Sequence, residues 1–138
     1  MKVSTFRLAN ELGRIEDLQK FRVEYREEML EETPRDYLDR MMQDKGVTVG
    51  KLCERSGLGN YVYKVVNGVR HPSREAAIRI ALGMQMDVEQ TQHYLRLLQL
   101  ARLDPRNYRG AAVMYAIGRE MDVERTQALL MEIGEKGL

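Results

Sequence analysis

The sequence predicts an all-α protein. Three observations predict it. Apolar residues recur at spacings of three and four along most of the chain, the segments between them open on Thr, Ser or Asp and close on glycine, and no stretch alternates with period two over a convincing length. The chain has 138 residues, of which 43% are hydrophobic and 31% charged. That is a globular balance, and the length is enough to bury a core. Only three prolines interrupt helix formation.

The elements follow in order. Leu8, Leu12, Ile15, Leu18, Phe21, Tyr25 and Met29 form one apolar stripe, which Gly13 divides into a short helix and a longer one over about 14–32. Thr33 caps the next helix, with Pro34 at its first position and Asp36 at its positive end. Tyr37, Leu38, Met41 and Met42 give that helix a buried face, and Gly46 ends it. Thr48 caps a short helix bearing Val49, Leu52 and Cys53, stopped by Ser56-Gly57. Gly59-Asn60 opens another, with Val62, Val65 and Val66 inside and Asn67-Gly68 at its end. Ser73 caps a helix expected to end at Gly83, and Asp87 caps one with Gln90 in capping-box position.

An internal repeat follows. Residues 80–92 and 115–127 share eight of thirteen positions at an offset of 35. Helices over about 107–118 and 123–133 should therefore repeat the preceding pair. The offset also belongs to helical solenoids, but two copies fall short of the three such arrays need.

Charge is unevenly placed. Residues 1–33 carry −2, residues 34–83 carry +4 and residues 84–138 carry −1. Within 45–79 seven basic residues face two acidic ones. A basic block of this kind suits a polyanion such as nucleic acid, because each neutralised phosphate releases counterion; a solvated surface is the plainer reading.

Chemistry is sparse elsewhere. No nucleophile–base set, paired-carboxylate motif, phosphate loop or metal spacing stands in the sequence, so an enzyme is not expected, nor a cofactor or a metal. Cys53 excludes an internal disulfide, and as a small buried residue it suits the contact between two helices. No apolar run approaches a membrane span and no secretory signal opens the chain, so a cytoplasmic protein is expected. His71 reads as a loop residue, and His93 has no metal-spaced neighbours. The nine Met residues read as gap fillers.

Two short helices joined by a tight glycine turn form a helix-turn-helix. Cys53 supplies the small contact residue, Gly57 the turn, and Val62 and Val66 the inner face. The stretch from Tyr37 to Gly83 resembles the Cro and lambda-repressor-like (XRE-type) helix-turn-helix family. The resemblance rests on Thr48, Leu52-Cys53, Gly57-Leu58, Val62, Asn67-Gly68, Arg70, Pro72-Ser73 and the closing Ile80-Ala81-Leu82-Gly83. It implies a five-helix bundle, here with an N-terminal helical extension (1–32) and a C-terminal two-helix extension (101–138) around a domain over 33–100. It further implies binding of double-stranded DNA, transcriptional regulation and a homodimer. This sequence departs from the family in three places. Val49 stands where Gln is common, Cys53 where Ala is common, and Gly57 to Gly68 is one residue shorter, the gap falling at Gly59-Asn60.

Helical geometry then names the expected DNA contacts. Asn60, Tyr61, Lys64 and Asn67 share the face opposite the valines, with Tyr63 beside them. Arg70, Ser73 and Arg74 are expected at phosphates, as are Thr48 and Lys51. Plainer readings stand beside several of these: Asn67 as a helix cap, Tyr63 as padding, Lys64 as a solvated lysine. The other reading of the whole chain is an adaptor that keeps the fold and binds a protein partner instead of DNA.

Overall fold

The computed structural model describes residues 4–14, 18, 21 and 32–138. Among them are eight helices and no strand. The expected helix over about 14–32 lies largely outside the described residues. No described helix is long and apolar enough to cross a membrane.

The chain divides into two compact units, Met1–Glu31 and Glu32–Leu138. In the first, α1 (Thr5–Arg14) starts at Ser4, whose hydroxyl accepts from the Arg7 N–H at 3.2 Å. Phe6 and Leu12 on α1 stay exposed.

The second unit holds α2 (Pro34–Lys45), α3 (Val49–Ser56), α4 (Tyr61–Val66), α5 (Arg74–Met84), α6 (Val88–Leu97), α7 (Tyr108–Gly118) and α8 (Val123–Glu132). Every start except that of α4 carries a side-chain cap. Thr33, Thr48, Ser73, Asp87, Asn107 and Asp122 each accept a backbone N–H three residues on. Asp87 and Gln90 close a full capping box.

Helix α5 is the hub. It packs against α2, α3, α6 and α8, and its residues from Ala76 to Met84 are buried except Arg79. A helix apolar on all sides belongs at the centre of a bundle. Around it Leu38, Leu52, Val62, Ile78, Leu95 and Leu130 form one core. The stretch 101–138 feeds that same core through Leu103, Val113, Ile117 and Leu130 rather than building its own.

The repeat is reproduced in detail. The caps Asp87 and Asp122 share φ −75 and ψ 177. Thr91 and Thr126, both fully buried, donate to the Asp87 and Asp122 carbonyls at 2.8 and 2.7 Å. Before each cap, Gln85 and Glu120 adopt positive φ, and the Met86 and Met121 N–H groups return to Ala81 and Ala116 at 3.0 Å. A third corner obeys the same rule. Gly46 has positive φ, the Val47 N–H donates to Met42 O at 2.9 Å, and Thr48 caps.

Two readings of the sequence are corrected here. Gly83 does not end α5, which continues to Met84 with Gln85 as its left-handed cap. Gly83 is instead a packing glycine: a Cβ there would stand 3.0 Å from the Ser56 nitrogen. Tyr61 does not share the open face of α4. It packs half-buried against the core, because it stands one turn before buried Val65 and so faces the same way.

Candidate nucleic-acid interface

Helices α3 and α4 are locked at the turn between them. Leu52 and Val62 are wholly buried, and Val65 nearly so. Ser56, also buried, donates its hydroxyl to Cys53 O at 3.4 Å and accepts from the Leu58 N–H at 3.2 Å. The chain then turns through Gly57 (φ +72) and Gly59 (φ +58), where a side chain would be strained. The Gly59 N–H returns to Cys53 O at 3.2 Å. Two left-handed glycines thus carry the turn between α3 and α4. Asn60 follows in right-handed helical conformation, with its side chain making no capping bond.

The first bonds of α4 run from Val62 N–H to Gly59 O and from Tyr63 N–H to Asn60 O, a tight three-residue pattern. The helix has only six residues. Its outer side presents Asn60, Tyr63, Lys64 and Asn67, all exposed. Asn67 also stands at the C-cap position, its N–H bonded to Tyr63 O at 2.9 Å. That is a backbone role and leaves the side-chain amide outside.

The surrounding expected residues divide by what already engages them. Lys51 lies exposed on α3, and Arg70 lies exposed in the loop after α4. Among the described residues no ion pair or hydrogen bond engages the side chains of Lys51, Lys64 or Arg70. Thr48 and Ser73 accept the Lys51 and Ala76 N–H groups at 3.2 Å each. Each hydroxyl proton remains to be donated outward. Arg74 is used differently. Its Nε donates to Ala101 O at 2.8 Å and its Nη2 to Arg102 O at 3.1 Å. The guanidinium ties the loop before α7 to the start of α5.

One cation escaped the sequence reading. Arg35 on α2 is exposed and lies against Gly68: a Cβ there would stand 3.4 Å from the Arg35 Cδ. Gly68 has φ +74 and closes α4. Arg35, Arg70 and His71 rim a small cleft of about 180 Å³ there. Arg35 comes within reach of this loop only through the packing of α2 on α4, and nothing in its linear surroundings signals it.

A larger cleft, about 740 Å³, opens between α3, α5 and the start of α8. Its lining mixes Lys51, Arg55 and Arg79 with Glu54, Asp122 and Glu124. Arg79 is already engaged, donating to Ser56 O at 3.2 Å, Gln127 Oε1 at 3.2 Å and Leu138 O at 2.8 Å. With the signs balanced and that guanidinium occupied, this cleft is a poorer anion site than the α3–α4 surface.

Cys53 is a partly buried free thiol packed on the core. His93 is half-buried with its ring edge-on to Tyr37, centroids 4.8 Å apart. Among the described residues no three His, Cys, Asp or Glu side chains gather as metal ligands. No family model, no curated protein and no solved structure matches the chain.

Proposed function

We propose that the protein is a sequence-specific DNA-binding regulator that reads the major groove with α4 and acts as a homodimer in the cytoplasm. The observation that supports this most is the pairing of a rigid support with uncommitted cations. Val62 and Val65 fix α4 in the core, while Lys51, Lys64 and Arg70 project from three successive segments without an internal partner. In this reading Asn60 and Asn67 read base edges, where a side-chain amide pairs with adenine, and Tyr63 packs beside them. Lys51, Lys64 and Arg70 neutralise phosphates, and Thr48 and Ser73 donate their hydroxyl protons to phosphate oxygens. Arg35 joins the phosphate set beside Arg70. Arg74 leaves it, because its guanidinium holds the 101–102 carbonyls.

Selection of genomic fragments retained at low salt tests this reading. The expected product is one enriched motif with two half-sites about one helical turn, roughly 34–36 Å, apart. Retention without any enriched motif would reduce the role to non-specific binding.

The adaptor reading draws on one observation. Val49 opens α3 packed against the core, so the first turn of α3 offers no side-chain amide to a base. Failure to retard any fragment, together with stoichiometric capture of one protein partner, would favour that reading over DNA.

A further inference from the structure

The two repeat copies differ in one respect that geometry makes plain. On α5 the positions Ala76, Ile80 and Gly83 lie on one face, and all three are buried, with Gly83 against the α3 backbone. Their counterparts at the offset of 35 are Ala111, Tyr115 and Gly118 on α7. Here Tyr115 is 47% exposed, against 0% for Ile80. Gly118 is exposed and has nothing within 4 Å of where a Cβ would stand. Tyr108, one turn before Ala111, is 84% exposed. The second copy keeps the helix–turn–helix corner, and among the described residues of this unit no helix lies against Gly118 as α3 lies against Gly83.

We propose that a second copy of this chain covers the face, through antiparallel pairing of α7 with α7 about a two-fold axis at the level of Val113. The side chains themselves argue for this occupant. Tyr108, Ala111, Tyr115 and Gly118 follow spacings of three, four and three, so they share one stripe opposite buried Val113 and Ile117. Antiparallel pairing about position 113 sets residue 108 across from 118, and 111 across from 115. Each large ring then meets a small residue: Tyr108 meets Gly118, and Tyr115 meets Ala111. The stripe is complementary to itself, as an isologous interface requires. Parallel pairing would set Tyr108 on Tyr108 and Gly118 on Gly118, crowding one end and leaving the other hollow. Arg119 lies 3.6 Å over the Tyr115 ring and screens that edge of the stripe.

The proposal deepens the homodimer part of the functional reading and rests on it, and its test uses no DNA. Sedimentation equilibrium of the full chain at high micromolar concentration should give a dimer mass. Gly118→Leu fills the space meant for the partner's Tyr108 and should weaken dimerisation about tenfold or more, while circular dichroism shows the fold retained. Tyr108→Ala added to Gly118→Leu reopens that space and should recover most of the loss. A monomeric wild-type chain would overturn the proposal. So would a Gly118→Leu chain that dimerises as well as wild type, and so would a double variant that stays as weak as the single one. Loss of DNA retardation with dimerisation intact would instead count against the DNA reading alone.

Discussion

Gly83 of α5 lies against Ser56 of α3 so closely that a Cβ at Gly83 would stand 3.0 Å from the Ser56 backbone nitrogen. The obstacle is backbone, so it has little room to give. Gly83→Ala should cost about 1–3 kcal/mol, the usual penalty for overpacking. Gly118→Ala, at the matching place in the second copy, should be neutral or stabilising by up to about 1 kcal/mol at dilutions where the chain is monomeric, since Ala loses less chain entropy than Gly in a helix. Urea unfolding of the two variants checks the contrast, and equal effects would contradict the account of the repeat.

The paired caps make a second prediction. Asp87 and Asp122 have the same backbone angles and each accepts an N–H three residues on at 2.7 Å. Asp87→Ala and Asp122→Ala should each cost about 1 kcal/mol. Asp87→Ala should cost slightly more, because it also breaks the reciprocal bond from its own N–H to Gln90 Oε1. Thermal unfolding of both variants reads this.

Tyr37 on α2 and Tyr94 on α6 make a third. Burial is the main cause that pushes the Tyr37 phenol up to about 12, and burial pushes Tyr94 higher still. In the unfolded chain both ionise near 10. Between about pH 10 and 12 the unfolded state therefore loses protons that the folded state keeps, so stability falls as pH rises through that window. Absorbance titration should show Tyr37 ionising only near pH 12 or on unfolding, with Tyr94 later still. Ionisation of Tyr37 and Tyr94 near pH 10, with the fold intact by circular dichroism, would contradict this packing.

Arg74 separates fold from function. Its guanidinium serves the carbonyls of 101 and 102. Arg74→Ala should cost about 1 kcal/mol and speed proteolysis in the loop between α6 and α7. Its effect on the salt dependence of DNA binding should be nil. A loss of salt slope in this variant would return Arg74 to the phosphate contacts.

How much of this was legible in the sequence depends on the range of the signal. Thr33, Thr48, Ser73 and Asp87 announce helix starts through a bond three residues away, and local chemistry is enough to read them. The repeat was legible as identity at one offset, whereas the third corner at Gly46-Val47-Thr48 shares only backbone geometry with the other two. Gly83 read as a helix end because glycine commonly is one. Its packing role depends on a helix some thirty residues earlier in the chain, and the true left-handed cap falls on Gln85, which carries no such signal. At the candidate site, the exposed face of α4 followed from the valines except at Tyr61. The company of Arg35 and the engagement of Arg74 are tertiary facts, set by the approach of Gly68 and of the 101–102 backbone.

The central claim is that the α3–α4 surface and its free cations hold DNA. Fluorescence anisotropy on one duplex over a range of salt tests it most directly, comparing wild type with a Lys51→Ala, Lys64→Ala, Arg70→Ala triple variant. Each phosphate contact contributes about 0.9 to the slope of log K against log salt. The account predicts weaker binding and a slope shallower by about 2 to 3, with thermal stability unchanged. An unaltered slope, or a wild-type chain that binds no duplex at low salt, would contradict it.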